Sequence, residues 1–543
     1  MNADEIKVTI NEYGQKRLLA CKRGRRLADL LKSMDIIAIS PCGGMGRCGK
    51  CACRIVRGRV LVTSADERFF SAKELSEGMR LLCRVVLQDD CEIELLSDAK
   101  DSWAFSAAGE GERPGEKMTI LSDSGSAELS KKDCSGREYS KAAIAVDLGS
   151  TTVAAALVGM GKDGFCDVLG TASCVNHQSA FGADVISRIA ASEDEKALRG
   201  MRDAVRSDIK KLIDELCEGS RGPLPISHII VAGNTAMLTI LAGESPAGLG
   251  SYPYTPPFLD ERTYDSGRDF SWPGEANVIL IPGISAFVGA DILAGLYSLD
   301  ITGESSALLA DLGTNGEMAF WDGENLRVTS TAAGPVFEAC GISCGMPSVE
   351  GAISHVTIDV DTKEVSFETI GGGSPRGLCG TGVMEAVSEL VRTGICDPSG
   401  LLCDKYFDGG FPITWDGGIR LTQSDIRNLQ LAKAAISSGL KMLLGDKTPD
   451  KVFLSGAFGT HLNPEEIKNL SLFPGAFNDK IISSGNTSLK GAVKYAAACL
   501  EGDVARSEAA EQMRTIKSNA TVIELPAADN FDKEYIAAMN FLE

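Results

Sequence analysis

Three thiols in the stretch PCGGMGRCGKCAC (41–53), at Cys42, Cys48 and Cys51, follow a C-x5-C-x2-C spacing, and a fourth, Cys83, stands in RLLCRVV. Three thiolates in a tight glycine-rich loop plus one distant thiolate is the ligand plan of a ferredoxin-type [2Fe-2S] cluster, whose plant form has four residues in the first gap where this chain has five. Glycines at 43, 44, 46 and 49 let the backbone wrap such a cluster and point N–H groups at its sulfurs. A structural zinc site on the same four cysteines is the alternative. Zinc ribbons, however, carry two separate C-x2-C pairs, and Cys83 stands alone. Cys53, two residues past a ligand, reads as a spectator.

A second chemistry sits downstream. The apolar run AAIAV (142–146) ends at Asp147, followed by Leu148, Gly149, Ser150, Thr151, Thr152 and a second apolar run. The theme recurs at ALLA (307–310), Asp311, Leu312, Gly313, Thr314, Asn315, Gly316, Glu317 and MAFW. The Gly and Ser/Thr of each turn expose N–H and hydroxyl donors that can cradle phosphate, and the strand-end Asp can hold Mg2+ or its water. Two such hairpins facing across a cleft would clasp a triphosphate. A third piece, VFLSGAFG (452–459), opens a strand into small residues, where a purine and ribose could lie against Gly456, Ala457 and Phe458. GLCGTG (377–382) precedes a helical pattern, so Gly380 is either part of an anion site at a helix start or a tight loop without ligand contact.

The elements that must position these groups follow from pattern. IKVTI (6–10) and RLLAC (17–21) read as strands around a turn at 12–14. Leu27, Leu30, Leu31 and Met34 have helical spacing, CRIV (53–56) reads as a strand, Ser71 and Glu74 form a capping box, and MRLLCRVVL (79–87) and CEIELL (91–96) read as strands. This is an α+β, β-grasp ferredoxin order ending near 98. Residues 99–140, crowded with Ser, Gly, Glu, Lys and Asp, read as a flexible linker; some forty residues would span roughly 35 Å. From 141 the pattern is α/β, in two halves, 141–300 and 301–543.

The chain has 543 residues, 44% of them hydrophobic, and 17 cysteines. That length suits three or four domains, and so many cysteines suit reduced thiols and a metal centre in a cytoplasmic protein. Neither a membrane span nor a signal peptide is legible. A net charge of −20 argues against nucleic acid. Residues 1–98 hold 17 Lys+Arg against 14 Asp+Glu, so the remainder carries the acidic excess.

Other features read more plainly. Asp184 and Asp291, each in Gly-Ala-Asp, suit helix caps, with contact to metal-bound or attacking water as the other use. Asn234 and Thr235 suit a strand-to-helix turn and N-cap. Cys340 and Cys344 lack a second pair and read as buried thiols. Four scattered histidines and the lack of a nucleophile elbow or H-E-x-x-H motif leave little support for other hydrolase chemistry.

Together the three nucleotide motifs resemble the ATPase domain of the superfamily that contains acetate and sugar kinases, Hsp70 and actin, a duplicated RNase H-like fold. A ferredoxin domain ahead of it resembles the reductive activators of corrinoid proteins. FGADVISRI (181–189), VAGNTAM (231–237), PGISAFVGAD (282–291), the stretch 332–353 and the tail FDKEYIAAMNFL have the look of that family too.

The resemblance implies an ATP-dependent activator that returns cob(II)amide to cob(I)amide on a corrinoid methyl-transfer protein, drawing on a low-potential electron donor, with a [2Fe-2S] cluster, ATP and Mg2+ as cofactors. Asp147 and Asp311 would organise Mg2+ and water, while Thr151, Thr152, Thr314 and Asn315 would contact phosphate. Neither nucleic acid nor membrane is an expected partner, and a homodimer is compatible with the pattern. One departure is expected: the family's middle domain is missing, because the linker runs almost straight into the first phosphate strand. Two other readings stay open, an activator of a radical 2-hydroxyacyl-CoA dehydratase and a redox-sensing, ATP-driven chaperone.

Overall fold

The computed structural model describes residues 5–12, 15–32, 51–95, 118–122, 125–129, 139–182, 184–218, 224–272, 274–346, 348–456 and 464–541. They divide into two compact units, residues 1–101 with 176–205, and 102–175 with 206–543.

In the first unit a five-stranded sheet has the order β2–β1–β5–β3–β4, from β1 (Glu5–Glu12), β2 (Gln15–Lys22), β3 (Ala52–Arg57), β4 (Met79–Leu81) and β5 (Cys91–Leu95). β1 pairs antiparallel with β2 and parallel with β5, as a β-grasp requires. The helix Leu27–Lys32 buries Leu27, Leu30 and Leu31. Ser71 and Glu74 form the reciprocal capping box of the helix Ala72–Ser76. The long strand expected at 79–87 is corrected. It ends at Leu81, and Leu82–Arg84 form a 3-10 turn. Leu81, Leu82 and Cys83 are consecutively buried, which a half-buried strand of period two cannot achieve.

In the second unit β6 (Met118–Ser122) and β7 (Gly125–Leu129) form an antiparallel hairpin inside the stretch read as linker. Then come β8 (Tyr139–Leu148), β9 (Thr152–Gly161), β10 (Cys166–Val175), β11 (Ile226–Gly233), β12 (Arg262–Asp265) and β13 (Asn277–Leu280), ordered β10–β9–β8–β11–β13–β12. The later half repeats the plan with β14 (Ala307–Leu312), β15 (Gly316–Trp321) and β16 (Leu326–Thr331). Three small strands, β17 (Ala352–Ile358), β18 (Val365–Thr369) and β19 (Gly377–Leu378), form their own sheet, and β20 (Phe411–Pro412) pairs with β21 (Arg420–Leu421). β22 (Lys451–Ser455), β23 (Ile481–Ser483) and β24 (Ala520–Val522) complete the second large sheet, ordered β23–β22–β14–β15–β16–β24.

In both large sheets the first three strands run antiparallel and the next two lie parallel to the first. This is the duplicated RNase H-like plan. The central strands are covered on both faces, so they read as continuous apolar runs rather than alternations. Each half lends a helix to the other. Ala290–Ser298, after β13, packs on β11 of its own half and on β14 and β15 of the other, while Thr487–Glu501, after β23, packs on β8, β9 and β11. The two helices approach closely because a side chain at Gly491 would place its Cβ 2.0 Å from the Ala294 carbonyl oxygen.

Candidate functional site: a two-turn cleft and a cysteine pair

Register places the two aspartates at matching points. Asp147 lies between Ala154 on β9 and Ala232 on β11, whereas Asp311 lies between Glu317 on β15 and Ser455 on β22. The second turn is therefore the richer one chemically. Ser455 Oγ donates to Asp311 Oδ2 at 2.8 Å, and Thr487 Oγ1 lies 2.7 Å from Ser455 Oγ, placed to donate to it. One residue either side of Thr487, Asn486 Nδ2 and Ser488 Oγ donate to Asp147 Oδ2 and Oδ1 at 2.8 and 2.6 Å. The start of one helix thus holds Asp147 directly and reaches Asp311 through Ser455.

The glycine-bearing turns above them meet. Ser150 Oγ donates to Thr314 Oγ1 at 3.4 Å, and the carboxylate of Glu338 accepts from Thr151 and Thr314 at 3.2 and 3.1 Å. Gly149 is needed because a Cβ there would sit 2.8 Å from the Thr152 carbonyl oxygen. A Cβ at Gly313 would come no nearer than 3.8 Å, to the Asn315 carbonyl oxygen, an ordinary contact. Thr152 begins β9. Gly316 and Glu317 lie inside β15 rather than in the turn: Gly316 makes room for Ile436, and Glu317 is 7% exposed beside Asn234. Gly456, at φ +87°, would bring a Cβ within 2.8 Å of Asp311 Oδ1. Ala457 and Phe458 lie outside the described residues. Gly380 starts the helix Gly380–Arg392, where a Cβ would lie 1.9 Å from the Phe337 carbonyl oxygen. Close packing against Phe337 thus requires a glycine there.

Four carboxyl groups converge here. Burial raises Asp147 above the usual carboxylate range, opposed by its Ser488 and Asn486 hydrogen bonds. Burial, with the charge of Asp147 adding, pushes Asp311 up to about 6 against the pull of Ser455. Burial and the charges of Asp147 and Asp311 take Asp291 to about 7. Glu317 rises too, through burial and the charges of Asp291 and Asp311, with Asn234 and Asn315 hydrogen bonds opposing. Burial and mutual repulsion couple these four groups, while among the described residues no three His, Cys, Asp or Glu side chains are placed to hold a metal ion.

The cap expectation for Asp184 holds: it caps Val185–Ala191 in a capping box with Ser187. For Asp291 it is corrected. Gly289 is the N-cap, and Asp291, one residue inside the helix, belongs to the carboxyl cluster. Asn234 caps Thr235–Ala242 as expected and also reaches Glu317, at 3.4 Å. Sequence reasoning missed Asn486, Ser488 and Glu338. Asn486 carried one signal, an N-cap side chain ahead of an apolar helical pattern.

In the first unit, Cys51 and Cys83 are each 4% exposed, and Leu82 N–H donates to the Cys51 carbonyl oxygen at 2.6 Å, bringing the two cysteine segments side by side. Cys42 and Cys48 lie outside the described residues. Cys53 is buried within β3, opposite Arg80 and Leu95. Two buried, adjacent thiol residues fit half of a four-thiolate site.

Comparison with known proteins assigns a domain type to each part of the chain. Residues 10–88 match the 2Fe-2S iron-sulfur cluster binding domain, 142–304 the RACo middle region, and 305–543 the C-terminal ASKHA domain of RACo. The chain thus carries a RACo-type domain order, a 2Fe-2S domain followed by a RACo middle region and a RACo ASKHA domain. A solved reductive activator for corrinoid, iron-sulfur protein aligns with 99% of this RACo-type chain and 98% of its own, with a TM-score of 0.64 and 27% identity. The corrinoid activation enzyme RamQ of Eubacterium limosum is 31% identical over 383 residues, 65% of this chain and 63% of its own length. The [Co(II) methylated amine-specific corrinoid protein] reductase of Methanosarcina barkeri is 28% identical over 258 residues, 42% of this chain and 46% of its own length. The matches thus span less than two thirds of these curated relatives.

The RACo domains support a 2Fe-2S cluster and ATP binding. They also overturn the expectation of a missing middle domain. The RACo middle region falls on the stretch read as the first ATPase half, and because it opens with an Asp-Gly phosphate-type turn, nothing in its composition marks it as separate. Among the described residues, no helix is long and apolar enough to cross a membrane.

Proposed function

We propose that the chain uses ATP hydrolysis in the Asp147/Asp311 cleft to drive one electron from a [2Fe-2S] cluster on Cys42, Cys48, Cys51 and Cys83 to Co(II) of a corrinoid protein in the cytoplasm, leaving Co(I). The observation that carries this reading is the cleft, where two Gly-Ser/Thr turns face each other, Asn486 and Ser488 hold Asp147, and Thr487 reaches Asp311 through Ser455, in a chain that also bears an iron-sulfur domain. The relatives named for corrinoid activation and corrinoid-protein reduction support the choice of partner. They do not favour the dehydratase-activator or chaperone readings.

Thr151, Thr152, Thr314 and Asn315, with the turn backbones, would bind phosphate. Asp147 and Asp311 would hold Mg2+, which when bound supplies charge neutralisation to the triphosphate. Asp291, ionising near neutral pH, would accept the proton of the attacking water at a carboxylate oxygen. The energy is needed because a plant-type centre sits near about −400 mV and each further 100 mV uphill costs about 2.3 kcal/mol per electron. The nucleotide can shift the cobalt equilibrium only through a difference in affinity for its two states, so closure of the two sheet-bearing halves must favour the Co(I) complex.

The test follows the EPR signal of the anaerobically reduced cluster after addition of a Co(II) corrinoid protein. Loss of the signal with ATP and its persistence without ATP is the expected result; equal loss in both overturns the coupling.

A further inference from the structure

We propose that Glu338 occupies the phosphate site when nucleotide is absent and makes that site select cation-complexed over bare polyphosphate. The proposal rests on the cleft being the nucleotide site. Glu338 ends a short 3-10 turn, Pro335–Glu338, set between Gly334 at φ +76° and Ala339 at φ +59°. A non-glycine residue in the left-handed region is uncommon and carries strain, so the turn is held by its surroundings. Two features hold it: Ala339 N–H and Cys340 N–H donate to the Val336 and Pro335 carbonyl oxygens at 2.8 and 3.0 Å, and the Phe337 carbonyl lies against Gly380.

Thus fixed, the carboxylate gives one oxygen to each phosphate turn, Oε2 accepting from Thr151 and Oε1 from Thr314. These are the hydroxyls a phosphate would need, and an anionic acceptor bridging both turns imitates its chemistry. An incoming phosphate must take those hydrogen bonds and also lie beside a displaced carboxylate near Asp147 and Asp311. A bound cation offsets that repulsion and bare nucleotide does not.

The experiment is calorimetric titration of ADP into the full chain, in Mg2+ and in EDTA, for wild type, Glu338→Gln, Glu338→Ala and Thr314→Val. Replacing a charged acceptor with a neutral one should tighten ADP binding on the order of tenfold in EDTA and less in Mg2+. Glu338→Ala should move the same way, and Thr314→Val should weaken binding. Weaker binding of Glu338→Gln in Mg2+ would make Glu338 a support of the bound cation and overturn the proposal, as would unchanged affinity in both buffers. If Thr314→Val also matches wild type in both, the nucleotide lies elsewhere and the reading of the cleft falls with it.

Discussion

Ser488 Oγ donates to Asp147 Oδ1 at 2.6 Å across 341 positions of sequence. This bond joins the aspartate of the first half to a helix that follows β23 of the second. With Asn486 bonded to the same carboxylate and Thr487 to the Ser455–Asp311 pair, a change in the angle between the halves would be felt at both aspartates.

Ser488→Ala should therefore impair turnover without displacing the aspartate. The Ser488 bond opposes the burial that raises Asp147, so its loss lets the carboxyl rise further. The ionised form is the one that holds a cation, so activity is lost as pH falls through this pKa, and the acidic limb of the ATPase pH–rate profile should move to higher pH. A charged hydrogen bond of this kind corresponds to roughly tenfold in kcat near neutral pH. An unmoved acidic limb would contradict the assignment.

The carboxyl cluster also sets a stability gradient. Asp311 and Asp291 rise from 3.8 to about 6 and about 7, mainly through burial, so the fold favours their protonated forms. That contribution is complete below about pH 4 and is lost as pH rises through about 6 to 7. In Asp291→Asn one buried charge and its repulsion are gone. Calorimetry without nucleotide should give this variant a higher Tm than wild type, with the gap widening by a few degrees between about pH 5 and about pH 8. A gap independent of pH would contradict the account.

How much of this was legible in the sequence varied with the reach of each interaction. Asp147 and Asp311 were readable because an apolar strand, an Asp and a glycine turn are adjacent in sequence, and the buried parallel strands announced themselves as apolar runs. Glu338 and Ser488 were not, since their roles depend on which strand ends the sheet order brings together. The run at 79–87 misled because consecutive apolar residues suit a strand, while the Val85 N–H bond to the Leu82 carbonyl closes a 3-10 turn there. Asp291 was read as a cap because its burial against two other carboxylates leaves no local trace.

Where the two exchanged helices cross, Gly491→Val should be costly. The Ala294 carbonyl lies 2.0 Å from the position a Cβ would take, and neither backbone can give way without moving its helix. Overpacking of this kind costs about 1–3 kcal/mol. The expected outcome is a lower Tm and weakened ATP response, with the visible spectrum of the iron-sulfur domain unchanged. Wild-type stability would show that the crossing tolerates separation.

At the cysteine loop, Cys83→Ser and Cys51→Ser should each lose the visible absorption of the cluster after anaerobic reconstitution, whereas Cys53→Ala should keep it. Cys53 lies in the core of β3, so its truncation is a packing loss of about 1 kcal/mol rather than a ligand loss. Iron content of two per chain in Cys53→Ala, and loss of the spectrum in the other two, is the expected pattern. Retention of the full spectrum in Cys83→Ser would remove the fourth ligand assignment.

The most direct test of ATP-driven electron delivery is anaerobic: reduced protein, a Co(II) corrinoid protein and ATP are mixed, and the Co(I) absorption band is followed for wild type and Asp311→Asn. The account predicts a band that grows with ATP in wild type, stays absent without ATP, and stays absent in Asp311→Asn although its cluster spectrum is intact. Equal growth of the band with and without ATP, or in both proteins, would contradict it.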